Sequence, residues 1–238
     1  MTLFLNGGGC GEQVKESYQL FKEKVDTNKA LLYIPLAMEK EKYPSCLEWI
    51  SGELKDFHFP KIDMITSATE LCTKNLDDYA ALFIGGGNTY KLLAELKSCN
   101  AFSKINAFLE KGGIVFGGSA GAILFGKTID SCRHADSNKV GLKKVTGFNQ
   151  VFGDYIGAHY PNENPIKTAE ATANFTKVSF DAPVIALPEE DTLIIDKNTV
   201  KVVGPKPYHI FKKGSAQQME PNQIYFTQEF RKFILSSE

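Results

Sequence analysis

Short apolar runs that close on glycine or other turn residues alternate, through the first half of the chain, with stretches in which apolar positions recur every three or four residues. Such alternation of buried strand and amphipathic helix is the pattern of a parallel sheet covered on both faces. Residues 2–5 form the first run and stop at Asn6-Gly7-Gly8-Gly9; Val14, Tyr18, Phe21 and Val25 then mark a helix over 12–25. A second strand is predicted at 30–35, followed by a helix whose face carries Tyr43, Cys46, Leu47, Trp49, Ile50 and Leu54. Residues 58–65 read as a third strand and 69–79 as a short connection or helix. Residues 80–84 run straight into Gly85-Gly86-Gly87-Asn88-Thr89. Tyr90, Leu92, Leu93 and Leu96 mark the helix after it, and another is predicted at 101–111.

The next strand, 114–116, enters Gly117-Gly118-Ser119-Ala120-Gly121, and a small, apolar run to Phe125 opens a helix. A serine between small residues at a strand-to-helix turn is the layout of a nucleophile elbow: the turn is too tight for bulky neighbours, and the hydroxyl stands clear of the fold. The residue after the serine begins the helix, so its N–H is free to face an oxyanion. Alone, the pentamer fits equally a glycine turn that binds an anion without covalent chemistry. In parallel sheets ligands bind beyond the carboxyl ends of the strands. The glycine clusters at 6–9, 85–87 and 117–121 all occupy that edge.

Beyond Phe125 the pattern changes. Residues 126–144 are polar without a clear period, and 145–160 read as turns and a short strand leading to Gly157-Ala158-His159. A helix is predicted at 169–178 and a strand at 182–187. Residues 192–196, 200–203 and 209–211 read as short strands joined by turns at Lys197-Asn198 and Gly204-Pro205. The expected plan is a mainly parallel core closed by a small antiparallel C-terminal region. With no internal repeat and no linker, residues 1–238 are expected to form one domain.

Composition narrows the partners. An apolar fraction of 43% over 238 residues supplies a sizeable core. A net charge of −1, from 27 basic and 28 acidic residues, offers no grip on nucleic acid or an anionic membrane, which leaves a small molecule. Five cysteines, an odd number scattered singly without CxxC, argue against a disulfide framework and a zinc site and suit a reducing compartment. The first residues lack the basic and long apolar regions of a signal peptide, and no run reaches the roughly 20 apolar residues that span a bilayer. A cytoplasmic location is expected. Neither NGGGCG nor GGGNT has the GxGxxG spacing of a dinucleotide fingerprint, and no Walker-type loop is present.

A serine hydroxyl is a weak nucleophile and needs a base within reach and a third group to orient that base. Of four histidines, His58 and His134 lie in packing or surface contexts and His209 inside a late strand. His159 sits at a strand end on the side expected for Ser119, which makes it the candidate base, with a structural histidine as the alternative. Glu189 closes the strand at 182–187 through Pro188 and is a candidate acid; Glu190 is adjacent, and Asp136, in the loop after the serine helix, is a further candidate. Ala120 offers one oxyanion donor, and Gly86 or Gly87 the other.

GGGNT after a strand, GGSAGA, a histidine at a strand end and the ALPE strand, in this order and spacing, resemble the dipeptidase E/cyanophycinase family of serine peptidases. VVGPKPYHIFKKG is similar to that family's closing segment. The resemblance implies a flavodoxin-like three-layer α/β/α sandwich of the class I glutamine amidotransferase type, with serine in place of cysteine. It also implies a peptidase that uses no metal or other cofactor. Ser119 would be the nucleophile, His159 the base and Glu189 the acid, with Glu190 and Asp136 as alternatives; Gly87 and Ala120 would form the oxyanion hole. A short peptide is the expected partner, met by Gly86, Asn88 and Lys167, and a monomer or homodimer is expected. The chain departs from the family in two places. Gly118 stands where a bulkier residue is usual, and Lys167, in PNENPIKTAE, stands in the region where arginines hold an acidic substrate side chain. Lysine lacks the bidentate fork of arginine, so the preference for aspartate is left open. Glu163 and Glu170 offer carboxylates either to a substrate's amino terminus or to solvent.

Overall fold

Strand β1 (Thr2–Asn6) is buried along its whole length and lies between a parallel and an antiparallel partner. The structure is a computed structural model, and it describes residues 1–236. After β1 come α1 (Lys15–Lys24), β2 (Ala30–Ile34), α2 (Tyr43–Glu53), β3 (Ile62–Met64) and α3 (Ala68–Thr73). Next, β4 (Tyr79–Ile84) leads through α4 (Thr89–Lys97) and α5 (Ala101–Glu110) to β5 (Ile114–Gly118) and the one-turn α6 (Ala120–Ile123). The second half holds β6 (Tyr155–Gly157), α7 (Pro165–Val178), β7 (Val184–Ala186), β8 (Thr192–Asp196) and β9 (Thr199–Val203). It closes with β10 (Tyr208–Lys212), β11 (Ser215–Met219), β12 (Ile224–Phe226) and α8 (Thr227–Ser236).

The main sheet has the order β12-β9-β8-β1-β5-β4-β2-β3. From β1 to β3 the pairs are parallel, and from β1 outward to β12 they are antiparallel. Alternate side chains of a strand point to opposite faces. Thus Leu3, Leu5, Leu32, Ile34, Leu82 and Val115 pack with Leu71 of α3, Leu92 and Leu96 of α4 and Ile105 of α5. Phe4, Leu31, Tyr33, Phe83 and Phe116 face the other way, under Tyr18 and Phe21 of α1 and Ile50 of α2. The result is the expected three-layer α/β/α arrangement. On the second face the rings form a continuous floor: Phe116 lies 4.8 Å from Phe83, stacked at 9°, and 5.4 Å from Tyr18. Burying such a ring contributes about 1.5–3 kcal/mol, so this floor is firmly anchored.

The late strands divide between two sheets. The hairpin β8–β9 extends the main sheet beside β1, and β6, β7, β10 and β11 form a separate four-stranded sheet in the order β11-β10-β7-β6. The cause lies in β8, where Leu193 and Ile195 join one face of the core and Ile194 the other. A strand apolar on both sides belongs inside a covered sheet. The third strand is shorter than its sequence signal, Ile62–Met64, because His58 takes a left-handed φ of 58° that closes a 3-10 turn at Lys55–Phe57. Among the described residues no helix is long and apolar enough to cross a membrane.

Candidate active site

β5 delivers the chain to Ser119, whose φ of 52° and ψ of −112° lie far from ordinary strand or helix values. A residue held there carries about 1–3 kcal/mol of strain, sustained by the surrounding structure. Here the Ser119 N–H donates to the Asn6 carbonyl at 3.0 Å, and the Ser119 carbonyl accepts from the N–H groups of Ala122 and Ile123. The turn is closely wrapped: a Cβ on Gly117 would stand 2.5 Å from the Gly121 carbonyl oxygen, and one on Gly121 only 2.2 Å from that of Ile84. Glycine at both positions is therefore a condition of the elbow.

His159 follows β6 with φ 56°, its N–H donating to the Gly7 carbonyl at 2.9 Å. Gly8 abuts its ring so closely that a Cβ there would lie 2.2 Å from Cε1. Glu189 follows β7 after Pro188, and its carbonyl accepts from the Gly9 N–H at 2.8 Å and from Asn6 Nδ2 at 3.2 Å. Asn6, at the end of β1, and the glycines after it thus brace all three residues. The NGGG turn carries the sequence signal for this role, but Asn6 itself is not singled out by any motif. Its side chain also bonds the Asp191 carbonyl and the Thr192 hydroxyl, tying β1 to β8.

The three side chains meet in a line. Ser119 Oγ is 2.8 Å from His159 Nε2, and His159 Nδ1 is 2.7 Å from Glu189 Oε1. With Nδ1–H donated to the carboxylate, Nε2 is left as an acceptor for the serine proton. The other candidate acids are engaged elsewhere. Glu190 pairs with Lys206 at 2.6 Å, and Asp136 Oδ2 accepts the Thr89 N–H at 2.8 Å.

Ser119, His159 and Glu189 line a cavity of about 590 Å³ with Gly87, Lys167 and Glu170 on its wall. Lys167 and Glu170 project from α7 and form no ion pair among the described residues. Cys132 lines the same cavity, but burial, reinforced by the Asp136 carboxylate, pushes its thiol well up, so it is no thiolate at neutral pH. Neither the Gly87 nor the Ala120 N–H donates to another group among the described residues. Asn88 is occupied structurally: its Oδ1 caps the Lys91 N–H and its Nδ2 donates to the Ser137 carbonyl. Gly86 lies against Ser119, with a Cβ there 3.2 Å from the serine Cβ. The polar stretch 126–144, silent in its periodicity, supplies Ser131, Cys132, His134, Ala135 and Asp136 to the wall.

Next to Glu189 stands an acid of a different kind. Asp191 is fully buried, with Oδ1 accepting the Lys206 N–H and Oδ2 without a partner among the described residues. Burial, opposed by Lys206 and reinforced by Glu190 and Glu16, pushes its carboxyl up to about 7. In the unfolded chain it titrates near 3.9. Between those values the folded state holds a proton that the unfolded state has released, so this group's contribution to stability is present at low pH and is lost as pH rises toward 7. Burial lowers His134 and His209, which act in the opposite sense. The comparison with Asp191→Asn isolates the carboxyl: the variant's Tm is expected to gain on that of the parent from pH 5 to pH 8. Thermal unfolding across that range checks this, and parallel curves would contradict it.

A serine on a strained strand-to-helix turn, at the carboxyl edge of a parallel sheet in a three-layer fold and beside a histidine, defines a serine-type hydrolase. The comparison with known proteins makes this specific. The chain belongs to peptidase family S51, whose model matches residues 3–203, and it is a serine-type peptidase. It is similar to Peptidase E of Nostoc sp., 26% identical over 216 residues that span 87% of this chain and 84% of that protein. Peptidase E of a Shewanella sp. is 29% identical over 191 residues, 79% of each chain. In structure it resembles a peptidase from an acI-B1 Actinobacterium with a TM-score of 0.74, over 94% of this chain and 96% of that one, at 18% identity.

Proposed function

We propose that this peptidase cleaves short peptides bearing a free amino terminus, through an acyl-enzyme on Ser119. The observation that carries the reading is the unbroken hydrogen-bonded line from Ser119 Oγ through His159 to Glu189. His159 Nε2 takes the proton from Ser119 as Oγ attacks the peptide carbonyl. Glu189 holds the imidazole in the required tautomer and stabilises the imidazolium that forms. The Gly87 and Ala120 N–H groups meet the oxyanion, where one such donor is worth about 10²–10³ in kcat. His159 then gives its proton to the leaving amine, and water repeats the sequence on the ester.

The size of the cavity, about 590 Å³, suits a few residues of peptide. Lys167 and Glu170, which line it and form no ion pair among the described residues, suit the ends or side chains of such a substrate. Glu170 is assigned to the amino terminus, and Lys167 tolerates an acidic first side chain without demanding one. The cytoplasm, where short peptides are degraded, is the proposed location. The test is a dipeptide panel with and without N-acetylation, including Asp-Xaa and Ala-Xaa pairs. Acetylation is expected to lower kcat/KM at least tenfold. Equal turnover of acetylated peptides, or of simple esters and amides in their place, would favour a general amidase instead.

A further inference from the structure

A second hollow of about 240 Å³, lined by Gly8, Tyr18, Trp49, Phe83, Phe116 and Gly118, among others, meets the charged cavity only at Ser119, the one residue that lines both. It is the upper end of the aromatic floor. Phe116 and Gly118 are two apart on β5 and so share a face. Where the row of rings reaches the nucleophile, the side chain simply stops. Like the other glycines of the elbow, Gly118 has no left-handed φ, but unlike them it has room for a side chain: a Cβ there would meet no atom within 4 Å. The fold does not require glycine at this position. What its absent side chain achieves is to keep the hollow open.

We infer that this hollow is the subsite for the residue after the scissile bond, that it takes an aromatic or large apolar side chain, and that Gly118 is the residue that determines this specificity. The inference rests on the peptidase mechanism proposed above. A peptide whose carbonyl sits over Ser119 sends its two halves to opposite sides of the serine. The charged half, with its amino terminus, belongs with Lys167 and Glu170 in the larger cavity, which leaves the aromatic hollow to the leaving residue. Its volume is below the roughly 300–1,000 Å³ of a whole-ligand pocket and fits one side chain. Its walls offer rings and no free charge: the Tyr18 hydroxyl is committed to Glu53 at 3.1 Å, and the backbone donors of Gly8, Gly9 and Cys10 are all taken. The terminal carboxylate of the leaving residue stays in solvent at the mouth, beside the exposed Cys10.

The test compares kcat/KM for Ala-Phe and Ala-Gly in the parent and in Gly118→Phe, with Gly118→Val as a smaller filling should the larger one fail to fold. The parent is expected to favour Ala-Phe by at least about tenfold, and the filled variants to lose that ratio. Trp49, the one tryptophan of the chain, gives a second readout. Its fluorescence is expected to change saturably with phenylalaninamide and not with glycinamide, and the response is expected to vanish in Gly118→Phe. Dipeptides cleaved without regard to the second residue, or a ratio that survives the filling, would overturn the subsite alone. A parent that cleaves no dipeptide would overturn the peptidase mechanism as well.

Discussion

Ser119→Ala is expected to lower kcat for peptide cleavage by about 10⁴-fold or more, with little change in KM. That factor corresponds to about 5.5 kcal/mol of lost transition-state stabilisation. The alanine keeps the Ser119 backbone and its bonds to Asn6, Ala122 and Ile123, so the elbow and the Ala120 N–H stay in place. What disappears is the oxygen 2.8 Å from His159 Nε2. Residual catalysis over the uncatalysed rate is expected from binding and the oxyanion donors. Steady-state kinetics on the best dipeptide, beside a melting curve to show the fold intact, measures the effect. A variant that keeps full turnover would remove Ser119 from the chemistry.

Glu189→Gln is expected to cost about 10³–10⁴-fold in kcat, and Glu190→Gln only a few-fold. An amide at position 189 preserves shape but lets the imidazole present its other tautomer, with Nε2 protonated toward the serine. The loss therefore falls on kcat. Glu190 stabilises Lys206 across a half-exposed pair, and pairs of that kind contribute up to about 1 kcal/mol. The two variants together decide which carboxylate orients the histidine. A large loss in Glu190→Gln with a small one in Glu189→Gln would reverse the assignment.

The parts of the fold legible in the sequence are those with a single dominant signal. β2, β4 and β5 announce themselves as apolar runs, and the glycine turns after β1, β4 and β5 do lie together at one edge of the sheet. Ser119, His159 and Glu189 were legible as strand-end residues, and the structure brings them within hydrogen-bond reach of one another. What the sequence hides is placement across distance. The apolar β8 shows that it is buried without showing that its partner is β1, and β11, Ser-Ala-Gln-Gln-Met, has almost no apolar signal. The bracing by Asn6 is invisible because the groups to which its side-chain amide donates lie more than 180 residues away. The aromatic hollow is hidden for the same reason: Trp49, Phe83 and Phe116 come from three separate elements, and only the register of β4 on β5 and the seating of Trp49 against Phe83 set them under Gly118.

A serine nucleophile activated through His159 is open to covalent capture by an organophosphorus reagent. The protein is treated with an alkyl fluorophosphonate, and the adduct is located by intact mass and peptide mapping. One adduct is predicted, on Ser119, absent from Ser119→Ala and formed at least about 100-fold more slowly in His159→Ala. An unlabelled Ser119 in protein that still cleaves dipeptides would remove the serine from the chemistry, and labelling that proceeds as fast without His159 would remove the histidine as its base.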